Sequence, residues 1–217
     1  MNKQAVINRL QESGAIGIIR VQSGKDLMRI AQALESGGLQ CIEITMTTPT
    51  ALTIIEETAS KLNNVLIGAG SVLDAPTARQ AILAGAEFLV TPTVALDVIE
   101  MVHRYGKPVI SGAMTPTEIL TAWETGADMV KVFPASVLGP EYLKAVHGPL
   151  PQIPLVPTGG ITTDNAGDFI RAGAAMVCAG GWLVDKKAVA GSHYELLTEH
   201  ARQLVEAVIK TRGGSNE

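Results

Sequence analysis

The chain predicts a (β/α)8 barrel of the TIM-barrel class, with an extra N-terminal helix. Three observations predict it. Short apolar runs alternate with helix-like stretches along the sequence, which builds a parallel sheet with helices outside. Eight such runs occur, and eight units in one chain favour a closed barrel over an open doubly wound sheet. A helix-ending glycine followed at once by an apolar run recurs, as Ser36-Gly37-Gly38, Ala84-Gly85-Ala86, Thr125-Gly126-Ala127 and Ala172-Gly173-Ala174. Such a glycine suits the left-handed residue that turns a helix into a strand, and its recurrence marks stacked βα units.

The elements follow in order. Met1–Ser13 reads as a helix covering the barrel floor. Strand Ile16–Val21 precedes helix Asp26–Ser36, and strand Cys41–Thr45 precedes helix Ala51–Lys61. Val65–Gly68 leads to Ala75–Ala84, and Phe88–Thr91 to Ala95–Tyr105. Pro108–Ser111 leads to Pro116–Thr125, where Thr115 is an N-cap and Pro116 takes the first helical position. Met129–Val132 is stopped by Pro134 and precedes helix Glu141–Val146. Leu155–Thr158 leads to Asp164–Ala172, and Met176–Ala179 to Tyr194–Lys210. Ser215–Glu217 reads as a frayed tail. No linker or low-complexity tract divides residues 1–217, so one domain with one sizeable core is expected.

Composition narrows the function. Hydrophobic residues make up 47% of the chain, which argues against disorder. The net charge is −4 with no Lys/Arg cluster, which argues against nucleic acid or an anionic membrane as partner. No apolar run approaches the roughly 20 residues that span a bilayer, and the N-terminus lacks the apolar core of a signal peptide. Cys41 and Cys178 lie in apolar strand-like runs and read as buried free thiols of a cytoplasmic protein. The four histidines show no metal-ligand spacing, and no Gly-x-Gly-x-x-Gly follows the first strand. Neither a metal nor a dinucleotide cofactor is expected.

Barrel chemistry collects at the C-terminal ends of the strands. Polar residues ending or interrupting the apolar runs are therefore candidates: Arg20, Glu43, Thr45, Ser71, Thr91, Lys131, Thr158, Gly159 and Gly160. Lys131 stands out, in Met129-Val130-Lys131-Val132-Phe133-Pro134. An ammonium group in a buried strand must be paired or give up its proton, and a neutral amine attacks ketones to form a Schiff base. Glu43 alternates with Ile42 and Ile44 and so faces the other way from them. It reads either as a structural ion-pair partner or as a general acid/base facing Lys131. Arg20 suits an anionic ligand or a surface acid. The pairs Gly159-Gly160 and Gly180-Gly181 follow the seventh and eighth runs, where such barrels commonly bind phosphate, although tight turns need glycines too.

Taken together, Ile42-Glu43-Ile44-Thr45, Gly68-Ala69-Gly70-Ser71-Val72-Leu73, Thr91-Pro92, Met114-Thr115-Pro116-Thr117-Glu118, Lys131-Val132-Phe133-Pro134 and Pro157-Thr158-Gly159-Gly160 resemble the bacterial 2-keto-3-deoxy-6-phosphogluconate (KDPG) and 4-hydroxy-2-oxoglutarate aldolases, in the same order from about Ile16 to Val184. The resemblance implies a class I aldolase of the (β/α)8 fold, a homotrimer, acting on a 2-keto acid or sugar-acid phosphate. It implies Lys131 as the imine-forming residue and Glu43 as the proton carrier. Phosphate is expected at Gly159, Gly160, Gly180 and Gly181, Thr158 is expected to bind substrate, and Phe133 is expected to pack on the imine. Arg20, Ser71 and the backbone at Pro92 are expected to hold the pyruvoyl end. Thr47 occupies a substrate-binding position where many members carry arginine; other members instead have an arginine ending the first strand, as Arg20 does here. Gly181 stands where several members have a phosphate-binding serine, which leaves open a lower phosphate affinity or an unphosphorylated substrate. Two rival readings remain: a sugar-phosphate isomerase or epimerase using Glu43 without a nucleophilic lysine, and a non-catalytic sugar-acid-binding barrel.

Overall fold

Eight short strands and ten helices alternate in the computed structural model, which describes residues 1–213. The expected tail Ser215–Glu217 lies outside the described residues. After helix α1 (Lys3–Ser13) come β1 (Ala15–Ile19), a 3-10 turn (Gly24–Asp26), α2 (Leu27–Ser36), β2 (Cys41–Thr45), α3 (Ala51–Lys61), β3 (Leu66–Gly70) and α4 (Ala75–Leu83). The second half runs β4 (Phe88–Val90), α5 (Leu96–Arg104), β5 (Val109–Ala113), α6 (Pro116–Glu124), β6 (Met129–Val132), α7 (Ala135–His147), β7 (Leu155–Pro157), α8 (Thr163–Arg171), β8 (Val177–Ala179), α9 (Lys186–Ala190) and α10 (Tyr194–Gly213).

The strands form one parallel sheet in the order β7-β6-β5-β4-β3-β2-β1-β8. Its two ends meet through a parallel bridge between Thr158 and Cys178, and Ala175 N donates to Leu155 O at 2.9 Å. The sheet is thus a nearly closed barrel, as the alternating runs predict. Gly38, Gly85, Gly126 and Gly173 all take positive φ, between 94° and 106°. In each case the residue after the glycine donates back to the helix, as Ala86 N does to Ala81 O at 3.0 Å, closing the helix end and launching the next strand.

Strand alternation sorts side chains into two cores. Ile16, Cys41, Leu66, Phe88, Ile110, Met129, Val156 and Met176 fill the barrel interior, and Val6 and Leu10 of α1 close its floor. Outward residues such as Ile42, Ile44, Ile67, Leu89, Val130 and Leu155 meet the helices. The N-terminal helix therefore seals the bottom and directs access to the top. Helix α10 is tied to this base by Arg212, which donates to Gln11 O at 2.8 Å and also to Ala175 O.

Some boundaries differ from the expected ones for identifiable reasons. Strand β3 continues two residues beyond Gly68, because Ala69 and Gly70 carry no apolar periodicity yet still pair with Ile44 and Thr45. Helix α7 starts at Ala135 rather than Glu141: one turn forms, Gly139 breaks it with φ 72°, and the helix resumes at Pro140. Helix α9 was not expected; Asp185 caps it by accepting from Ala188 N at 2.8 Å. Strand β1 ends at Ile19, so Arg20 and Val21 follow it rather than belong to it.

Candidate active site

The interior of the barrel changes character near its upper end. Below, every inward layer is apolar; above, β2 presents Glu43 and Thr45, β6 presents Lys131, and Thr158 follows β7, all of them buried. Lys131 is 4% exposed, and its Nζ lies 5.3 Å from the centroid of the Phe133 ring, a cation–π distance. Phe133, the next inward residue, is 36% exposed and forms part of the mouth.

Glu43 is fully buried, and neither carboxylate oxygen has a hydrogen-bond partner. Its pKa is raised above the ordinary 4.5, first by burial, and is drawn back by the charges of Lys131 and then Arg20. The carboxylate and the amine thus sense one another without a direct hydrogen bond. Space for the carboxylate comes from β3, where a side chain at Gly70 would collide with it. Gly68, two residues earlier, likewise leaves room for Phe88. The small residues that obscure β3 in the sequence are what the site needs.

Above Lys131 opens a cavity of about 370 Å³. Lys131 and Phe133 bound it from β6, Thr158 to Ile161 from the loop after β7, and Ile18 and Arg20 from β1. Gly180, Gly181, Trp182, Val184 and Lys186 complete the wall after β8. Gly159 and Gly160 take positive φ of 93° and 74°, conformations that favour glycine. Asn165 pins their loop, donating to Gly160 O at 2.8 Å and accepting from Thr162 N at 2.9 Å. Trp182 is steadied by stacking on His200 of α10, with ring centroids 4.6 Å apart.

Of the residues expected at the site, Arg20, Lys131, Phe133, Thr158, Gly159, Gly160, Gly180 and Gly181 line this one cavity. Glu43, Thr47, Ser71 and Pro92 do not line it. Thr47 is exposed beyond β2, with its hydroxyl 3.0 Å from that of inward-facing Thr45. Ser71 follows β3 in a left-handed conformation with φ 56°. Pro92 follows β4 and lies over Gly112, whose missing side chain admits it. Thr91, beneath it, accepts from Gly112 N at 3.1 Å and donates to Thr93 O at 2.6 Å, a structural use of its hydroxyl. The cap expected at Thr115 is present as a full capping box with Glu118.

Sequence reasoning passed over Trp182 and Lys186 as site residues. The signal for Lys186 was Asp185, an N-cap residue placing the lysine at the start of a helix just beyond a glycine pair. A larger hollow of about 710 Å³, lined by Asp185, Lys187, His193 and Glu199 among others, lies along α9 and α10 and includes no strand-end residue. Cys41 and Cys178 are free and buried, with thiols pushed up to about 11 and about 12, chiefly by burial. Among the described residues, no group of three or more His, Cys, Asp or Glu side chains comes together to hold a metal ion. No helix there is long and apolar enough to cross a membrane.

A buried amine facing a buried carboxylate, at the top of a (β/α)8 barrel and under an anion-friendly rim, defines a barrel enzyme equipped for carbonyl chemistry. Comparison with known proteins makes the class specific. The model of the KDPG and KHG aldolase family matches residues 6–200, and the chain belongs to that family. The 2-dehydro-3-deoxy-phosphogluconate aldolase of Pseudomonas aeruginosa is 33% identical over 212 residues, covering 97% of this chain and 96% of that protein. A KDPG aldolase from Legionella pneumophila, solved with pyruvate captured at low pH as a covalent carbinolamine intermediate, superposes with a TM-score of 0.82. It is 29% identical, covering 88% of this chain and 93% of its own. A cube-shaped protein cage designed by fusing symmetric oligomeric domains superposes with a TM-score of 0.86 at 30% identity, over 93% of this chain and 74% of that one. The protein is accordingly an enzyme of the class I aldolase type.

Proposed function

We propose that the enzyme cleaves 2-keto-3-deoxy-6-phosphogluconate to pyruvate and glyceraldehyde 3-phosphate through an imine on Lys131, and that 4-hydroxy-2-oxoglutarate is a second substrate, giving pyruvate and glyoxylate. The observation that carries this reading is Lys131 itself, 4% exposed on β6 and electrostatically coupled to buried Glu43. In this scheme the Lys131 amine attacks the C2 ketone to give a carbinolamine, and loss of water gives a protonated imine. Glu43, directly or through water, takes the proton of the C4 hydroxyl as the C3–C4 bond breaks. The bonding electrons pass into the iminium, leaving an enamine, and the aldehyde departs. Glu43 then returns a proton to C3, and hydrolysis frees pyruvate and the amine. The iminium supplies the electrophile, so this route calls for no metal or cofactor.

Glu43 suits both proton transfers: burial raises its pKa above the ordinary 4.5, which makes it a better proton acceptor than a solvated carboxylate, and as the buried acid nearest in charge to Lys131 it is placed to return the proton. The family resemblance assigns Arg20, Ser71 and the Pro92 backbone to the pyruvoyl end and the two glycine pairs to the phosphate, with Thr47 and Thr158 as further substrate-binding positions. A panel of 2-keto acids assayed by pyruvate release tests the reading, with Lys131→Ala expected to abolish turnover. Turnover kept by that variant would end the imine scheme.

In this reading the enzyme assembles as a homotrimer. It is supported by the symmetric oligomeric domains named for the cage neighbour and by exposed Leu73, Leu96, Met114 and Val137 on successive loops and helix starts around the barrel top. Light scattering at the monomer mass would remove it. A cytoplasmic location is supported by the two unpaired thiols.

A further inference from the structure

We propose that Lys186 is a specificity-determining residue that grips the distal phosphate of the substrate and makes the enzyme prefer phosphorylated over unphosphorylated 2-keto-3-deoxy acids. The assignment rests on the aldolase reading and settles which end of the ligand this side of the mouth recognises. Three cations line the cavity, Lys131, Arg20 and Lys186, and no Asp or Glu lines it. Lys131 serves as the nucleophile, which leaves two cations at the rim for ligand charge.

Both rim cations are exposed, and among the described residues neither makes a hydrogen bond or an ion pair with a protein group. Several other cations of the chain do: Lys107 pairs with Glu87 at 2.8 Å, Lys3 with Asp128 at 2.8 Å, and Arg202 with Glu199 at 2.7 Å. Arg20 follows directly on β1, which pairs with the β2 strand that carries Glu43, and its charge acts on that carboxylate. Lys186 lies beyond β8, past Gly181. The two therefore suit the two ends of one doubly charged ligand, with Arg20 nearer the reacting end.

The surroundings of Lys186 match a phosphate. Apart from Gly181 and its chain neighbours, no protein atom lies within 4 Å of where a side chain there would begin, so the rim is open. The N–H groups of Gly160 and Gly181 donate to no protein acceptor among the described residues. Backbone donors and one compact ammonium form a phosphate site without a hydroxyl. Lys186 supplies as charge what a serine at position 181 would supply as a hydrogen bond. A neutral terminal hydroxyl gains little from that charge, and so discrimination follows.

The test compares wild type, Lys186→Met and Lys186→Arg on the phosphorylated keto acid and its dephosphorylated form, alongside calorimetric titration with inorganic phosphate. Lys186 is exposed, so its replacement does not threaten folding. Loss of one charge-assisted contact is expected to raise KM for the phosphorylated substrate roughly 10- to 100-fold in Lys186→Met, with kcat little changed. Phosphate affinity should fall by a similar factor, and Lys186→Arg should keep most of both. A phosphorylated-to-dephosphorylated preference equal to that of wild type in Lys186→Met would overturn the assignment and leave the aldolase reading standing. Wild type that binds phosphate through Lys186 yet releases no pyruvate from either substrate would instead sink the aldolase reading.

Discussion

Glu43 shows how one residue trades stability for chemistry. Burial raises its pKa above the ordinary 4.5, so the fold binds its proton more tightly than the unfolded chain does. The sign follows: the stabilisation is complete below that ordinary value and is lost as pH rises through the raised one. Glu43→Gln removes the titration and keeps the shape. Thermal melts across pH should therefore show the variant gaining on wild type as pH rises above 4.5, while pyruvate release slows by roughly 10²- to 10⁴-fold. A variant that melts lower than wild type at neutral and alkaline pH would mean that the ionised carboxylate contributes net stability. The burial of Lys131 and Glu43 was legible in the sequence, because each stands as a charge inside an apolar alternation. Lys186 was not, since a lysine in the polar segment Asp185-Lys186-Lys187 looks like solvent-facing surface until its position at the mouth is known.

At the level of elements, the strand-and-helix alternation and the helix-ending glycines reveal the βα units, because each physical device is local. What is not local was harder to read. Strand β3 runs on through Ala69 and Gly70 because neighbouring strands demand it, not because those residues prefer extended structure. The first turn of α7 hides behind Gly139-Pro140, a pair that reads as a break and is one, though with helix on both sides. The docking of α10 was invisible as well, since it depends on Arg212 reaching Gln11 at the other end of the chain. Burial lowers the Arg212 pKa, and its guanidinium satisfies carbonyls at the barrel base. Arg212→Ala should lower unfolding stability by about 1–3 kcal/mol in denaturant titration, with little change in kcat. An unchanged midpoint would show that apolar packing alone seats the helix.

For the whole molecule, the division of the barrel into a sealed apolar base and a charged upper layer explains why chemistry has one place to occur. Val6 and Leu10 close the floor, Phe88 fills the middle, and the small residues Gly68, Gly70 and Gly112 make space near the top for bulky neighbours, a carboxylate and a loop. That plan places a nearly dry amine at the bottom of an open cavity, where a keto acid meets it and bulk water is scarce. The central claim is that this amine bonds covalently to the ketone carbon. It is tested most directly by incubating the protein with pyruvate and borohydride and mapping the product by peptide mass spectrometry. A reduced pyruvate adduct on Lys131, missing from Lys131→Ala, is the predicted result; no adduct, or one confined to other lysines, would contradict the account.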